Sequence, residues 1–155
     1  GAYPPALKRL REALSRTDPE GRVVTYAGAV PHAELPVRYT QADVFVFASS
    51  CENMPNTLLE AMAAALPIAC ADRGPMPEIL GDAGVYFDPE QPEDIARALT
   101  ALVTDADTRS RLALLARERV EQFTWERCAD ATLAFIVETR AGRTGRAQDA
   151  SSTVD

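Results

Sequence analysis

Two carboxylates in the middle of the chain stand on either side of a short polar segment. Glu52 follows the apolar run at residues 44–48, and Glu60 comes after seven intervening residues. The apolar run predicts a fully buried strand, and the apolar positions after residue 57 recur at helical spacing. Backbone N–H groups at a helix start have no intrahelical acceptors and carry the positive end of the dipole, so an anion can bind there. Carboxylates beside such a site suit the hydroxyl groups of a sugar or ribose, because they accept hydrogen bonds.

The segments around this loop alternate between strands and helices. We predict strands over residues 23–27, 43–48, 67–71 and 85–87. We predict helices over residues 4–14, 32–39, 55–66, 76–80, 93–103, 108–123 and 125–139. This alternation is typical of an α/β protein with a Rossmann-like, doubly wound parallel sheet. Ligands bind such sheets outside the carboxyl ends of the strands, so we expect the loops at residues 28–31 and 49–56 to face one crevice.

The composition is that of one globular domain, with 155 residues, 46% of them hydrophobic, and a net charge of −7. Because no cluster of Lys or Arg precedes the C-terminal tail, neither nucleic acid nor an anionic membrane is expected as a partner. There is no apolar run of membrane-spanning length and no signal peptide, so we expect a cytoplasmic protein. Any contact with a membrane would come through another domain.

The cysteines Cys51, Cys70 and Cys128 lack the spacing of a metal site, so we interpret them as free thiols. Cys70 and Trp125 are expected in the core. Residues 140–155 lose all periodicity and are rich in Gly, Ser, Ala and charge, which predicts a disordered tail after a single domain over residues 1–139. The chain begins without Met, so we expect a fragment of a longer protein.

Several motifs resemble one enzyme family. Residues 42–49 (ADVFVFAS) and 52–63 (ENMPNTLLEAMA) are similar to the C-terminal donor-binding domain of family 4 glycosyltransferases, which are retaining enzymes with the two-domain GT-B fold. Further matches follow in register at residues 66–69, 74–79, 81–84 and 123–125. The resemblance extends over nearly all of residues 1–139.

The resemblance implies a role for each candidate residue. Glu52 is the catalytic candidate and would accept hydrogen bonds from the transferred sugar. The loop residues that would face the sugar and the diphosphate are Asn53, Met54, Pro55 and Asn56. The residues at the helix start that would stabilise the diphosphate charge are Thr57 and Leu58. Glu60 would bind the ribose hydroxyls. The turn that would line the base pocket consists of Gly28, Ala29 and Val30.

The implied reaction is transfer of a hexose from a nucleotide diphosphate sugar to a glycan or lipid-linked acceptor. Negative charge builds on the departing diphosphate during this reaction. Hydrogen-bond donors directed at that charge are therefore the main catalytic contribution expected from this half of the active site. The resemblance implies no cofactor and no metal. Residues 52–56 and 72–77 look most like bacterial enzymes that build surface polysaccharide or lipopolysaccharide.

Three departures from the family pattern matter. The family often has Gly where this chain has Asn53, and commonly has Gly where it has Ala65. A positive φ at Ala65 would cost about 1 kcal/mol. The phosphate-binding Arg and Lys of the family lie on a strand and helix before the region that matches Gly1, and the acceptor-binding N-terminal domain is the expected missing partner. We therefore expect the isolated chain to be inactive.

Two alternatives to a transferase half remain open. One is a stand-alone module that binds a nucleotide sugar without turnover, in a regulatory role. The other is a sugar-nucleotide epimerase or phosphorylase of GT-B fold. A phosphorylase would need a lysine for pyridoxal phosphate, and the single lysine, Lys8, is poorly placed for that task.

Overall fold

The computed structural model describes residues 4–151, with side chains as far as residue 140. The helices are α1 (Pro4–Thr17), a 3-10 turn (His32–Glu34), α2 (Leu35–Thr40), α3 (Asn56–Ala63), α4 (Met76–Leu80), α5 (Pro92–Thr104), α6 (Ala106–Val120) and α7 (Trp125–Ser151). The strands are β1 (Phe45–Phe47), β2 (Ile68–Ala71) and β3 (Val85–Phe87). The chain divides into two compact units, Gly1–Gln41 and Ala42–Asp155. The single domain over residues 1–139 stays a prediction.

The first unit contains no strand among its described residues, so the strand predicted over residues 23–27 is wrong. Its backbone is satisfied in another way, because the N–H groups of Val23 and Val24 donate to the Asp18 carboxylate over 2.9 and 2.7 Å. Hydrogen bonds from Val24, Val23 and Arg22 lower the pKa of Asp18. Val23 is 86% exposed. A β-branched side chain favours a strand mainly when it packs against neighbours, and Val23 lacks such packing here. None of the described side chains of this unit is fully buried.

The second unit is built on a parallel sheet in the order β1-β2-β3, which confirms the predicted Rossmann-like α/β class. Phe45 pairs with Ile68, and Ala69 pairs with Val85. Every residue of β2 is buried, and a strand flanks it on each side. β1 lies at the edge, and its central residue Val46 is 39% exposed. The prediction of a fully buried strand at residues 44–48 is therefore wrong.

The core of the second unit lies between the strands β2 and β3 and the helices α3 to α6. The largest fully buried side chains there are Phe87, Leu58, Met62, Ile68, Met76, Leu80, Leu102, Pro55 and Cys70. Burial raises the pKa of Cys70 to about 12, so this thiol is a packing group, as expected.

α7 differs from the prediction in two ways. Trp125 is 86% exposed, and the other side chains described on this helix are exposed too, so the prediction of a core tryptophan is wrong. The aromatic type alone suggested burial, but no described element covers this part of the helix. The helix also continues past the predicted end at residue 139 and runs to Ser151, through most of the segment expected to be disordered. Residues 152–155 lie outside the described residues.

α3 ends in a Schellman motif with an alanine in the position that usually holds glycine. The Leu66 N–H donates to the Ala61 carbonyl oxygen over 3.1 Å, and the Ala65 N–H donates to the Met62 carbonyl oxygen over 3.0 Å. These are the two bonds that define the motif. Ala65 has a φ of +54°, so the condition for the cost given above is met.

α6 carries three arginines that each cap another helix. Arg109 donates to two carbonyl oxygens near the end of α5, over 2.8 and 2.7 Å. Arg117 donates over 2.8 Å to the last residue of α3, and Arg119 donates over 2.6 and 2.7 Å to two carbonyl oxygens of α4. A cation at a helix C-terminus satisfies carbonyls that have no intrahelical donor and opposes the negative end of the dipole.

Candidate functional site

The loop between β1 and α3, at residues 48–55, carries most of the candidate residues. It leaves the carboxyl end of β1 and ends at Pro55, which is buried and precedes the first residue of α3. Proline fits here because its fixed φ suits the helix entry and its missing N–H costs nothing. No side chain caps this helix start. The first-turn N–H groups must therefore find acceptors in the backbone, in solvent or in a ligand.

The backbone hydrogen bonds show which of these donors are available. The Asn56 N–H donates to the Met54 carbonyl oxygen over 3.0 Å, and the Leu58 N–H donates to the Pro55 carbonyl oxygen over 2.9 Å. Pro55 has no N–H to offer. Among the described residues no acceptor is found for the N–H groups of Asn53, Met54 and Thr57. Of the residues at positions 53–58 that were predicted to face a ligand, these three therefore have an N–H available to bind it.

The two carboxylates lie on either side of these donors. Glu52 is half-buried in the loop, and Glu60 is half-buried in the second turn of α3. Glu60 and Thr57 are three residues apart, so they are neighbours on one face of the helix. The opposite face, with Leu58 fully buried, packs into the core. Leu58 therefore anchors the helix while Thr57 and Glu60 face outward.

The turn after β2 lies directly beside this loop. Gly74 has a φ of +51°, and the Met76 N–H closes the turn by donating to the Arg73 carbonyl oxygen over 3.3 Å. A Cβ atom at position 74 would lie 3.8 Å from the Glu52 carbonyl oxygen, so space alone would admit a side chain. The left-handed backbone is what requires glycine here. The two turns thus pack together at the carboxyl ends of adjacent strands.

Charged side chains surround the same edge of the sheet. Arg73 pairs with its neighbour Asp72 and, over 2.8 Å, with Asp88, which comes directly after β3. The Asp88 N–H donates to Asp94 over 2.8 Å. A hydrogen bond from Arg97, followed by the one from Asp88, lowers the pKa of Asp94. Arg73 is not among the sequence-predicted candidates, although a basic residue two positions after a buried strand is a usable signal.

The remaining candidates, Gly28, Ala29 and Val30, belong to the first unit. Gly28 has a φ of +71°, and Val30 is half-buried at the end of the loop that precedes the 3-10 turn. They follow an irregular segment and not the predicted strand. Their role in a base pocket stays a prediction.

Two searches of the described residues found nothing. No group of three or more His, Cys, Asp or Glu side chains within residues 4–140 is arranged to hold a metal ion. Metal independence stays a prediction. In the part of the chain that the structure describes, no helix combines the length and the apolar character needed to cross a membrane.

The geometry supports a defined kind of binding. Three backbone donors at a loop and helix start suit phosphate oxygens, and two half-buried carboxylates suit hydroxyl groups. A ligand that has both phosphate oxygens and hydroxyl groups, such as a sugar joined to a diphosphate, matches both the backbone donors and the carboxylates.

Comparisons with known proteins agree with this chemistry. Residues 6–119 match the family described as "Glycosyl transferases group 1". The chain is 32% identical over 110 residues to the O-antigen chain mannosyltransferase B of Escherichia coli, a match that covers 71% of this chain and 29% of that protein. The chain spans only 22–32% of the length of the first curated relatives that it matches.

Two solved structures share the fold. Sucrose-phosphate synthase from Thermosynechococcus elongatus aligns with a TM-score of 0.74 and 27% identity, over 88% of this chain and 35% of that chain. A crystal structure described as the C-terminal domain of a glycosyl transferase group 1 family protein from Francisella tularensis aligns with a TM-score of 0.64 and 25% identity. The second alignment covers 75% of this chain and 60% of that one.

Proposed function

The chain belongs to the glycosyl transferases group 1 family, and on that premise we propose that it is the nucleotide-sugar-binding, C-terminal half of a retaining glycosyltransferase. The observation that carries the proposal is the row of backbone donors at Asn53, Met54 and Thr57 between the carboxylates Glu52 and Glu60. The likeness to a structure described as a C-terminal domain supports the choice of half.

In this proposal each group has one task. The Thr57 N–H and the positive end of the α3 dipole stabilise the charge that develops on the departing diphosphate. Glu52 accepts hydrogen bonds from the hydroxyls of the transferred hexose and fixes the orientation of its anomeric carbon. Glu60, one turn further along α3, accepts hydrogen bonds from the ribose. The diphosphate therefore lies between the two carboxylates, where the backbone donors are.

The acceptor and the remaining half of the site come from outside this chain. We propose that an N-terminal domain binds the acceptor and that the acceptor is a glycan or a lipid-linked glycan. The similarity to an O-antigen chain mannosyltransferase supports an acceptor used in surface polysaccharide synthesis. The chain alone is expected to bind the donor without turning it over.

Calorimetric titration of Glu52→Gln and Glu60→Gln tests the proposal. Each variant is titrated with a nucleotide sugar and with the bare nucleoside diphosphate, over a panel of UDP, GDP and ADP compounds. Glu60→Gln should weaken the binding of both ligands by about 1–3 kcal/mol, because a charged acceptor for the ribose hydroxyls is lost. Glu52→Gln should weaken only the nucleotide sugar. Glu121→Gln makes the same change at an exposed position near the end of α6 and serves as the control.

Two results would contradict the proposal. One is a parent chain that binds none of the nucleotide sugars at millimolar concentration. The other is binding of both ligands that is the same in Glu52→Gln, Glu60→Gln and the control, since the two glutamates would then be surface residues. Joining the chain to a cognate N-terminal domain should restore transfer, and continued binding without transfer would favour a module that only binds.

A further inference from the structure

We propose that Arg73 is a positioning residue that acts through Asp88 to hold the loop carrying Glu52. The inference rests on the proposed function, because that loop is the donor-sugar site in the proposal. Arg73 occupies the connection between β2 and α4, and Asp88 comes immediately after β3. The pair therefore ties together the carboxyl ends of two strands, next to a third strand end that carries the loop.

The first step from Arg73 to the loop is the geometry of its ion pairs. The Arg73 guanidinium contacts both Asp72 and Asp88, the latter at 2.8 Å from Nη2 to Oδ1. The same Asp88 oxygen accepts the Glu90 N–H over 3.0 Å. The Asp72 N–H donates to the Phe87 carbonyl oxygen over 3.0 Å, so the backbone on either side of the ion pair is also tied to β3. These contacts join the turn after β2 to the segment after β3.

The second step is the contact between this turn and the loop. Arg73 directly precedes Gly74, and its carbonyl oxygen closes the turn with the Met76 N–H. Position 74 lies against the peptide of Glu52, with 3.8 Å between an added Cβ and the Glu52 carbonyl oxygen. The turn and the Glu52 peptide are therefore close neighbours, and we infer that a shift of the turn would move the loop.

The third step is the local charge. Arg73 is the single basic residue in the three connections at residues 48–55, 72–75 and 88–91, where acidic residues stand at positions 52, 72, 88 and 90. Without the guanidinium, Asp72 and Asp88 would repel each other, and the hydrogen bond from the Asp72 N–H to the Phe87 carbonyl oxygen would hold the turn to β3 without the side-chain restraint. A lysine presents a point charge and cannot replace the planar fork that holds two carboxylates. Because the pair is partly exposed, its effect on global stability should be small.

The experiment is a double-mutant cycle on the full chain. Arg73→Gln, Asp88→Asn and the double variant are titrated with nucleotide sugar and with bare nucleoside diphosphate, and their melting temperatures are measured. Arg111→Gln, at an exposed position on α6, controls for the change in net charge. Each single variant should weaken binding of the nucleotide sugar about fivefold, the range of one exposed ion pair. Binding of the bare diphosphate should weaken by a smaller factor that is equal in the two variants, because Asn53 and Met54 lie on the same loop. The double variant should bind the nucleotide sugar no more weakly than either single variant, because the two substitutions remove the same restraint.

A direct phosphate contact by Arg73 would give a different pattern and would overturn the proposal. Arg73→Gln would then weaken the bare diphosphate, and Asp88→Asn would leave it unchanged or strengthen it by releasing the cation. Backbone amide NMR signals provide a readout that needs no ligand. The signals of residues 51–54 should shift in Arg73→Gln and Asp88→Asn and not in the control, and unchanged signals would overturn the proposal. If these signals shift but the parent chain binds no donor, the proposed function fails and the positioning role stands.

Discussion

Replacing Ala65 by glycine should stabilise the chain, because Ala65 occupies the left-handed position of the Schellman motif that ends α3. Its φ is +54°, and both hydrogen bonds of the motif are formed. A left-handed backbone costs a residue with a Cβ about 1–2 kcal/mol, and glycine does not carry this cost.

Two opposing effects reduce the gain. Glycine adds freedom to the unfolded chain, which costs about 0.4–1 kcal/mol. The Ala65 methyl is half-buried, so its loss costs roughly half of the 0.8 kcal/mol of a fully buried methylene. The net increase in the free energy of unfolding is about 0.5 kcal/mol, which raises the melting temperature by about 2 °C for a unit of this size.

Urea denaturation of Ala65→Gly and Ala64→Gly measures the difference. Ala64 is the control because it is adjacent but has a φ of −80°, which alanine adopts without strain. Ala64→Gly should lower the free energy of unfolding by about 0.5–1 kcal/mol. Ala65→Asn should fall between the parent and Ala65→Gly, since asparagine tolerates the left-handed region. If Ala65→Gly is destabilised as much as Ala64→Gly, then the left-handed conformation is not adopted in solution.

Three further predictions concern the helices. In urea denaturation, Arg119→Ala should lower the free energy of unfolding by about 1–3 kcal/mol, because the α4 carbonyls lose a charged donor. The control Arg111→Ala should lower it by less than about 0.5 kcal/mol, and equal decreases would contradict the capping role of Arg119. The N–H and hydroxyl of Thr108 lower the pKa of Asp105 below its usual 3.8, so this stabilisation is complete above pH 3.8 and is lost as the pH falls through the folded pKa. Asp105→Asn should therefore reduce the acid dependence of the melting temperature, and an unchanged dependence would argue against this cap. Trp125, the single tryptophan, should emit as a hydrated indole and be quenched by acrylamide; blue-shifted emission would show that it is covered.

The sequence predicted those elements that depend on short-range patterns. β2, β3 and α4 follow from apolar runs bounded by Gly and Pro, and the structure has α4 and β3 at the predicted bounds. The loop before α3 was predicted for the same reason, since Pro55 marks the helix entry. Glycine is common at the end of this helix in the family, and the positive φ at Ala65 follows from that comparison.

Burial and long-range pairing could not be predicted in this way. Val23 and Trp125 have side chains that favour burial, yet both are 86% exposed because no described neighbour covers them. The N–H of Val23 binds Asp18, a local side-chain acceptor that competes with a sheet. Arg73 was missed because its partner Asp88 lies fifteen residues further along the chain, and only the adjacency of β2 and β3 brings the two together.

The arginines of α6 give the chain an order of assembly. Arg117 caps a carbonyl 54 residues earlier in the sequence, and Arg119 caps carbonyls 40 and 41 residues earlier. During synthesis α3 and α4 leave the ribosome well before these side chains exist, so the carbonyl oxygens of Ala63, Glu78 and Ile79 have no arginine donor until α6 arrives. Closing such long loops must occur before the caps contribute, which delays their formation during folding. A nascent chain that stops before residue 117 therefore lacks the arginine caps of α3 and α4, and only the local Schellman motif is available to end α3.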